Sequence, residues 1–218
     1  MTLALIIANV VVFGVMVAAS HHLPLARGFD NDVLYEAGAT FGEPSWRWIT
    51  AAFIHVNVLH IFMNMWVLAQ IGVLAEAAIG RALFLATYVV TGVAGNIVGT
   101  GMAMMHHRHV LSAGASGAIM GLLGVATVFA WRTGQRPIAN ALAKNVLFVL
   151  VIGFASTASG TIAVDNAAHV GGLAAGALIG LGRARWPRPA PRWADRLMGA
   201  GATAVSVAAF LAIWLRGG

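Results

Sequence analysis

Cysteine is absent from the 218 residues, and charged residues make up only 9% of them. The first absence excludes disulfides, thiolate metal sites and a cysteine nucleophile. Any covalent chemistry therefore falls to serine, threonine, lysine or a carboxylate. The second absence excludes an ordinary soluble domain, where about 25% of residues are charged. Carboxylates are scarcest, with seven Asp and Glu against thirteen Lys and Arg. The net charge of +6 does not point to nucleic acid, because the basic residues sit between apolar runs without aromatic interleaving. Membrane topology is the simpler explanation.

The rest of the chain is apolar: hydrophobic residues fill 60% of positions and the mean hydropathy is +0.84. A helix that crosses a bilayer needs roughly 20 such residues at about 1.5 Å each. Seven stretches qualify: Leu3–Ala19, Val58–Ala75, Ala82–Met105, Ala113–Trp131, Ala141–Thr157, Ala167–Leu181 and Leu197–Leu215. The first begins without a basic leader, so no signal peptide is expected. The expected fold is all-α and polytopic. Six helices form a core over residues 1–182. A basic linker, RARWPRPAPRWADR, and a seventh transmembrane helix occupy residues 183–218.

With the N-terminus in the cytoplasm, nine basic residues fall inside: Arg81, Arg132, Arg136, Lys144, Arg183, Arg185, Arg188, Arg192 and Arg196. Four fall outside: Arg27, Arg47, Arg108 and Arg216. The positive-inside rule therefore gives N-in and C-out. The first external connection, Ser20 to about Asn57, carries Asp30, Asp32, Glu36 and Glu43, then PSWRWITAAFIHV. Trp46 and Trp48 bracket Arg47 and suit the headgroup zone, so this loop is expected on or partly in the outer leaflet.

Polar side chains inside spanning helices are costly and face the protein interior or a water-filled cavity. His60, Asn64, Ser116 and His169 are the notable ones. Taken singly, a serine in GASG is more simply packing, and a membrane histidine an interhelical hydrogen-bonder. Counting from the cytoplasmic charges puts Ser116, His169 and His60 about 21–24 Å up, with Asn64 near 18 Å. Four packing accidents would not share one slab. His60 and Asn64 are i and i+4 on one face. His169 heads a stripe with Gly172, Gly176 and Gly180. Gly114, Gly117, Gly121 and Gly124 form a second stripe beside Ser116. Two glycine faces let helix backbones approach closely enough for a short serine to reach an imidazole. Ser116 is also expected at a helix N-terminus, where free N–H groups favour developing negative charge. The loop HHRHVLSAG leading into it must dip inward, beside protein or water.

WRWIT with the later His55, HIFMN, GASGA and AHVGGLAAG occur in that order, with Asn9 and Phe13 in the opening IIANVVVF. In this combination the chain resembles the rhomboid family of intramembrane serine proteases over roughly residues 1–182. The resemblance implies that Ser116 is the nucleophile and His169 the general base. It implies that His60 and Asn64 join the Ser116 N–H in stabilising the oxyanion. Arg47 matches the family's loop arginine and His55 its extra histidine near the entrance. The fifth helix, Ala141–Thr157, would border the substrate's route. One departure is Met120, where the family often has an aromatic packed on the imidazole; a thioether can also pack on a ring.

The implied reaction is hydrolysis of a peptide bond in or beside the transmembrane segment of a single-span membrane protein. No carboxylate is placed as a third member: Asp165 is one turn above His169 and interfacial, so a dyad is expected. No metal or cofactor is required, and no nucleic acid is a partner; the bilayer is the other partner. One alternative is a rhomboid-like module that binds transmembrane helices without cutting them. Another is a histidine-based metal, haem or transport protein, but HHRH and HH lie outside the apolar runs. An Ala/Gly/Arg-rich chain of this kind leans towards a bacterial inner membrane, with the site opening externally.

Overall fold

Long apolar runs cannot leave backbone groups unpaired in lipid, so they fold as helices. The computed structural model describes residues 1–25, 28–41, 46–107, 111–158, 165–185 and 192–215. Seven long helices cover the seven expected stretches: α1 (Thr2–Ser20), α4 (Val58–Ile79), α5 (Arg81–Met105), α6 (Ser116–Arg132), α7 (Arg136–Ala158), α8 (Asn166–Arg185) and α9 (Arg192–Trp214). Five are long and apolar enough to cross a membrane: α1, α4, α5, α7 and α9. The apolar α6 has 17 residues, and the glycine-rich α8 falls outside that group. Among the described residues there is no sheet, only an isolated antiparallel bridge between Thr40 and Ser112. Of the residues used to orient the chain, Arg27, Arg108, Arg188, Arg216 and Glu43 lie outside the described residues.

The first long connection, between α1 and α4, holds two short helices, α2 (Asn31–Ala37) and α3 (Arg47–Thr50), and a 3-10 turn at Ala51–Phe53. Sequence periodicity gave no sign of these, because each is too short to show a repeat. Arg47 holds the segment together. Its guanidinium donates to the carbonyls of Tyr35 and Ala39 and lies 3.7 Å over the Tyr35 ring.

Buried polar groups join the helices. Asn9 on α1 donates to the Tyr88 hydroxyl on α5 at 3.1 Å, and Tyr88 donates to the Ala52 carbonyl at 2.9 Å. Near the other end of α4, Glu76 accepts from the Thr2 N–H and hydroxyl, each at 2.8 Å. Gly80, with φ of 84°, turns α4 sharply into α5, a conformation that only glycine adopts without strain.

Glycine then decides how α5, α6 and α8 pack. A Cβ on Gly172 would sit 2.0 Å from the Gly117 carbonyl oxygen, one on Gly176 2.0 Å from that of Gly121, and one on Gly180 2.9 Å from that of Val125. The contacts advance four residues at a time on both helices, so α6 and α8 run parallel in backbone contact. Against α5 the order reverses: Gly95 meets Ala168 and Gly99 meets Asp165. The beginning of α8 is thus clamped between α6 and the later part of α5. By contrast, only 17% of the spanning window of α7 and 6% of that of α9 is buried, so both are peripheral. The C-terminal part of α9 leans on the first connection, with Phe210 against Phe53 (5.7 Å between ring centres) and Ile213 against Gly38.

Candidate active site

The chain reaches α6 through an irregular stretch that is paired to the first connection at Ser112 and Gly114. Ser112 exchanges two backbone hydrogen bonds with Thr40, at 2.8 and 3.1 Å, and the Gly114 N–H donates to the Ala51 carbonyl at 2.9 Å. Buried loop is tolerated only when paired in this way. Ser116 is the first residue of α6, half-buried, and no side chain caps the helix. Its N-terminal N–H groups are therefore free to meet negative charge.

His60 comes from the first turn of α4, where the Asn57 side chain caps the helix by accepting from the His60 N–H at 2.8 Å. The imidazole Nδ1 accepts from the Val56 N–H at 3.4 Å. A neutral ring with Nδ1 as acceptor carries its proton on Nε2. That Nε2 lies 2.9 Å from the point where a Gly114 Cβ would be, and Ser116 Oγ lies 3.8 Å from the same point. The missing side chain of Gly114, held at φ of 132°, thus leaves a space bounded by an N–H donor and the serine hydroxyl. One turn along, Asn64 is buried and donates to the His60 carbonyl at 2.9 Å, leaving its second amide hydrogen available.

His169 is buried in the first turn of α8. The Ala168 carbonyl lies 3.5 Å from the Cβ point of Gly117, and Gly172 touches Gly117 from below. Ser116 and His169 consequently belong to the same turn of the α6–α8 contact. No hydrogen bond joins them among the described residues. Among the described residues His169 Nδ1 is buried without a hydrogen-bond partner, so no carboxylate accepts a hydrogen bond from that nitrogen.

The other expected residues lie further out. His55 is fully buried, with its ring edge-on to His60 at 5.1 Å between centres. Burial first, and the neighbouring His60 second, push its pKa down from 6.5 to about 3. Met120 is buried one turn below Ser116. Arg47 is engaged inside the first connection by the Tyr35 and Ala39 carbonyls and the Tyr35 ring. Among the described residues no three His, Asp or Glu side chains converge to hold a metal ion.

Sequence reasoning missed a polar chain that runs beside the start of α8. The Asn96 amide donates to the Trp48 carbonyl at 2.7 Å, and the Ser112 hydroxyl lies 3.1 Å from Asn96 Oδ1 and 3.4 Å from Asp165 Oδ2. No motif links these positions, since they lie on four separate segments.

Residues 43–186 match the family described as "Rhomboid domain". Similar proteins include RHOMBOID-like protein 4 of Arabidopsis thaliana, 32% identical over 74% of this chain and 39% of that protein. Rhomboid protease GluP of Bacillus subtilis (strain 168) is 31% identical over 64% of this chain and 27% of its own length. Rhomboid protease AarA of Providencia stuartii is 26% identical over 83% and 71%. The chain thus spans less than half the length of the first two of these relatives. The match to the domain covers more than half of the chain, on the same segments that build the site, and the protein belongs to the rhomboid family.

Proposed function

We propose that this protein is an intramembrane serine endopeptidase that uses a Ser116–His169 dyad. The observation that carries the reading is the parallel, glycine-to-glycine contact of α6 and α8, which keeps the two residues within one helical turn. Two relatives with the printed name "rhomboid protease" support it.

In the proposed reaction His169 takes the hydroxyl proton as Ser116 Oγ attacks the scissile carbonyl. Because Nδ1 is enclosed and unpaired, Nε2 is the nitrogen assigned to this step. The resting pair is not hydrogen-bonded, and such contacts often tighten only when substrate is bound. The carbonyl oxygen, now an oxyanion, occupies the space over Gly114. There it meets the Ser116 N–H, the Nε2–H of His60 and the free amide hydrogen of Asn64. His169 then protonates the leaving amine, the C–N bond breaks, and a water deprotonated by His169 hydrolyses the acyl-enzyme. Asp165 takes no part as a third member.

The substrates proposed are single-span membrane proteins whose helix unwinds near the external face, since helical hydrogen bonds otherwise enclose the scissile group. The peripheral α7 borders their route. In this reading residues 1–182 form a six-helix core and 183–218 add a seventh span. The N-terminus is cytoplasmic and the C-terminus external, in a bacterial inner membrane. Cleavage of a tagged single-span substrate by the purified protein tests the function. Wild type should cut, and Ser116→Ala and His169→Ala should not. Binding of the substrate helix with no cutting by wild type would favour a non-proteolytic helix-binding module instead.

A further inference from the structure

We propose that Asp165 is a positioning residue that fixes the first turn of α8, and with it His169, against the segment that delivers Ser116. This rests on the dyad reading given above.

Asp165 immediately precedes α8. Its Oδ1 accepts from the Ala168 N–H at 2.9 Å, the N-cap bond of the helix, and its backbone carbonyl accepts from the His169 N–H at 3.1 Å. These bonds hold the turn from which the imidazole projects. The other carboxylate oxygen faces away from α8. Oδ2 lies 3.4 Å from the Ser112 hydroxyl, four residues before Ser116. It also lies 2.3 Å from the point where a Cβ on Gly99 would stand, so α5 admits the carboxylate only because residue 99 is glycine.

Ser112 is itself fixed. Its backbone is bridged to Thr40, and its single hydroxyl proton is shared between Asp165 Oδ2 and Asn96 Oδ1. Asn96 is oriented by the Trp48 carbonyl, which accepts from its amide nitrogen. One carboxylate therefore joins α8 to the approach to α6, with α5 as the backstop. It does so without touching the imidazole, whose Nδ1 has no partner. A cap that served only helix stability would need Oδ1 alone. The second oxygen, aimed at the serine-bearing segment, is what assigns the positioning role.

The test uses the full-length protein in detergent with Asp165→Ala and Asp165→Asn. Asparagine keeps an oxygen for Ala168 and offers Ser112 an amide donor in place of the carboxylate acceptor. Asp165→Ala should lower kcat about 10- to 100-fold with KM within about twofold of wild type, the loss expected for misplaced catalytic groups. Asp165→Asn should restore kcat to within about threefold of wild type. Hydrogen exchange across residues 166–171 should be about tenfold faster in Asp165→Ala and near wild type in Asp165→Asn. An unchanged kcat in folded Asp165→Ala would overturn the proposal, even if that variant melted earlier. So would an Asn variant as impaired as Ala, which would make the charge the working feature. If wild type itself failed to cleave, the dyad reading would fall separately. Exchange across residues 111–116 would then decide alone, since only the Ser112 contact couples them to Asp165: faster exchange there in Ala but not Asn supports the lock, and no difference there overturns it.

Discussion

The carbonyl oxygen of Gly117 lies 2.0 Å from the point that a Cβ on Gly172 would occupy. The two helices that carry Ser116 and His169 therefore meet backbone to backbone just below those residues. A single methyl group at position 172 would have to displace a main chain and not a flexible side chain.

Gly172→Ala and Gly176→Ala should each destabilise the protein by about 1–3 kcal/mol, the usual cost of overpacking. They should also reduce cleavage about 100-fold, because separating the helices by 1 Å misplaces the dyad. Gly101→Ala is the control: its Cβ would enter open space, so both stability and cleavage should hold. Chemical unfolding in detergent and the cleavage assay read the two effects together.

Removing an oxyanion donor should act on kcat. His60→Ala and Asn64→Ala are expected to lower kcat about 100- to 1,000-fold with little change in KM. Gly114→Ala should fail more completely, since its methyl would fill the space between His60 Nε2 and Ser116 Oγ at a φ that alanine resists. Steady-state kinetics on a model substrate separate the two parameters; a loss confined to KM would contradict these roles.

Acid should weaken the fold through His55. Its folded pKa, about 3, lies below the unfolded value of 6.5. Between those limits the unfolded chain binds a proton that the folded one excludes. The contribution of His55 to stability is thus fully present above pH 6.5 and is lost as pH falls towards 3. Unfolding midpoints at pH 7.5 and 4.5 should differ less in His55→Gln than in wild type.

Phe210 on α9 packs against Phe53 in the first connection, and Ile213 against Gly38. Phe210→Ala should cost roughly 2 kcal/mol, less than for a fully buried phenylalanine. Proteolytic nicking within residues 28–41 should accelerate. Unchanged nicking would mean that α9 does not support the connection.

The features legible in the sequence were those written in periodic patterns. Apolar runs marked the seven long helices, and the glycine stripes at 117, 121 and 124 and at 172, 176 and 180 pointed to the contact that the structure shows. Counting residues at a fixed rise predicts one level for Ser116, His169, His60 and Asn64, and the structure brings His60 and Ser116 to the space over Gly114. The short helices α2 and α3 and the Thr40–Ser112 bridge were not legible, because each depends on contacts distant in the chain. The contacts of Asp165 with Ser112 and Gly99 were not legible for the same reason: those partners come from other segments. His55 could be noticed as a histidine, but its place beside His60 depends on how the loop folds.

The central claim is that His169 activates Ser116. Labelling with a fluorophosphonate, located by peptide mass spectrometry, tests it without knowledge of the natural substrate. The expected result is a single adduct on Ser116 in wild type, none in Ser116→Ala, and labelling slowed at least about 100-fold in folded His169→Ala. An adduct on another residue, or equally fast labelling of Ser116 without His169, would contradict the dyad.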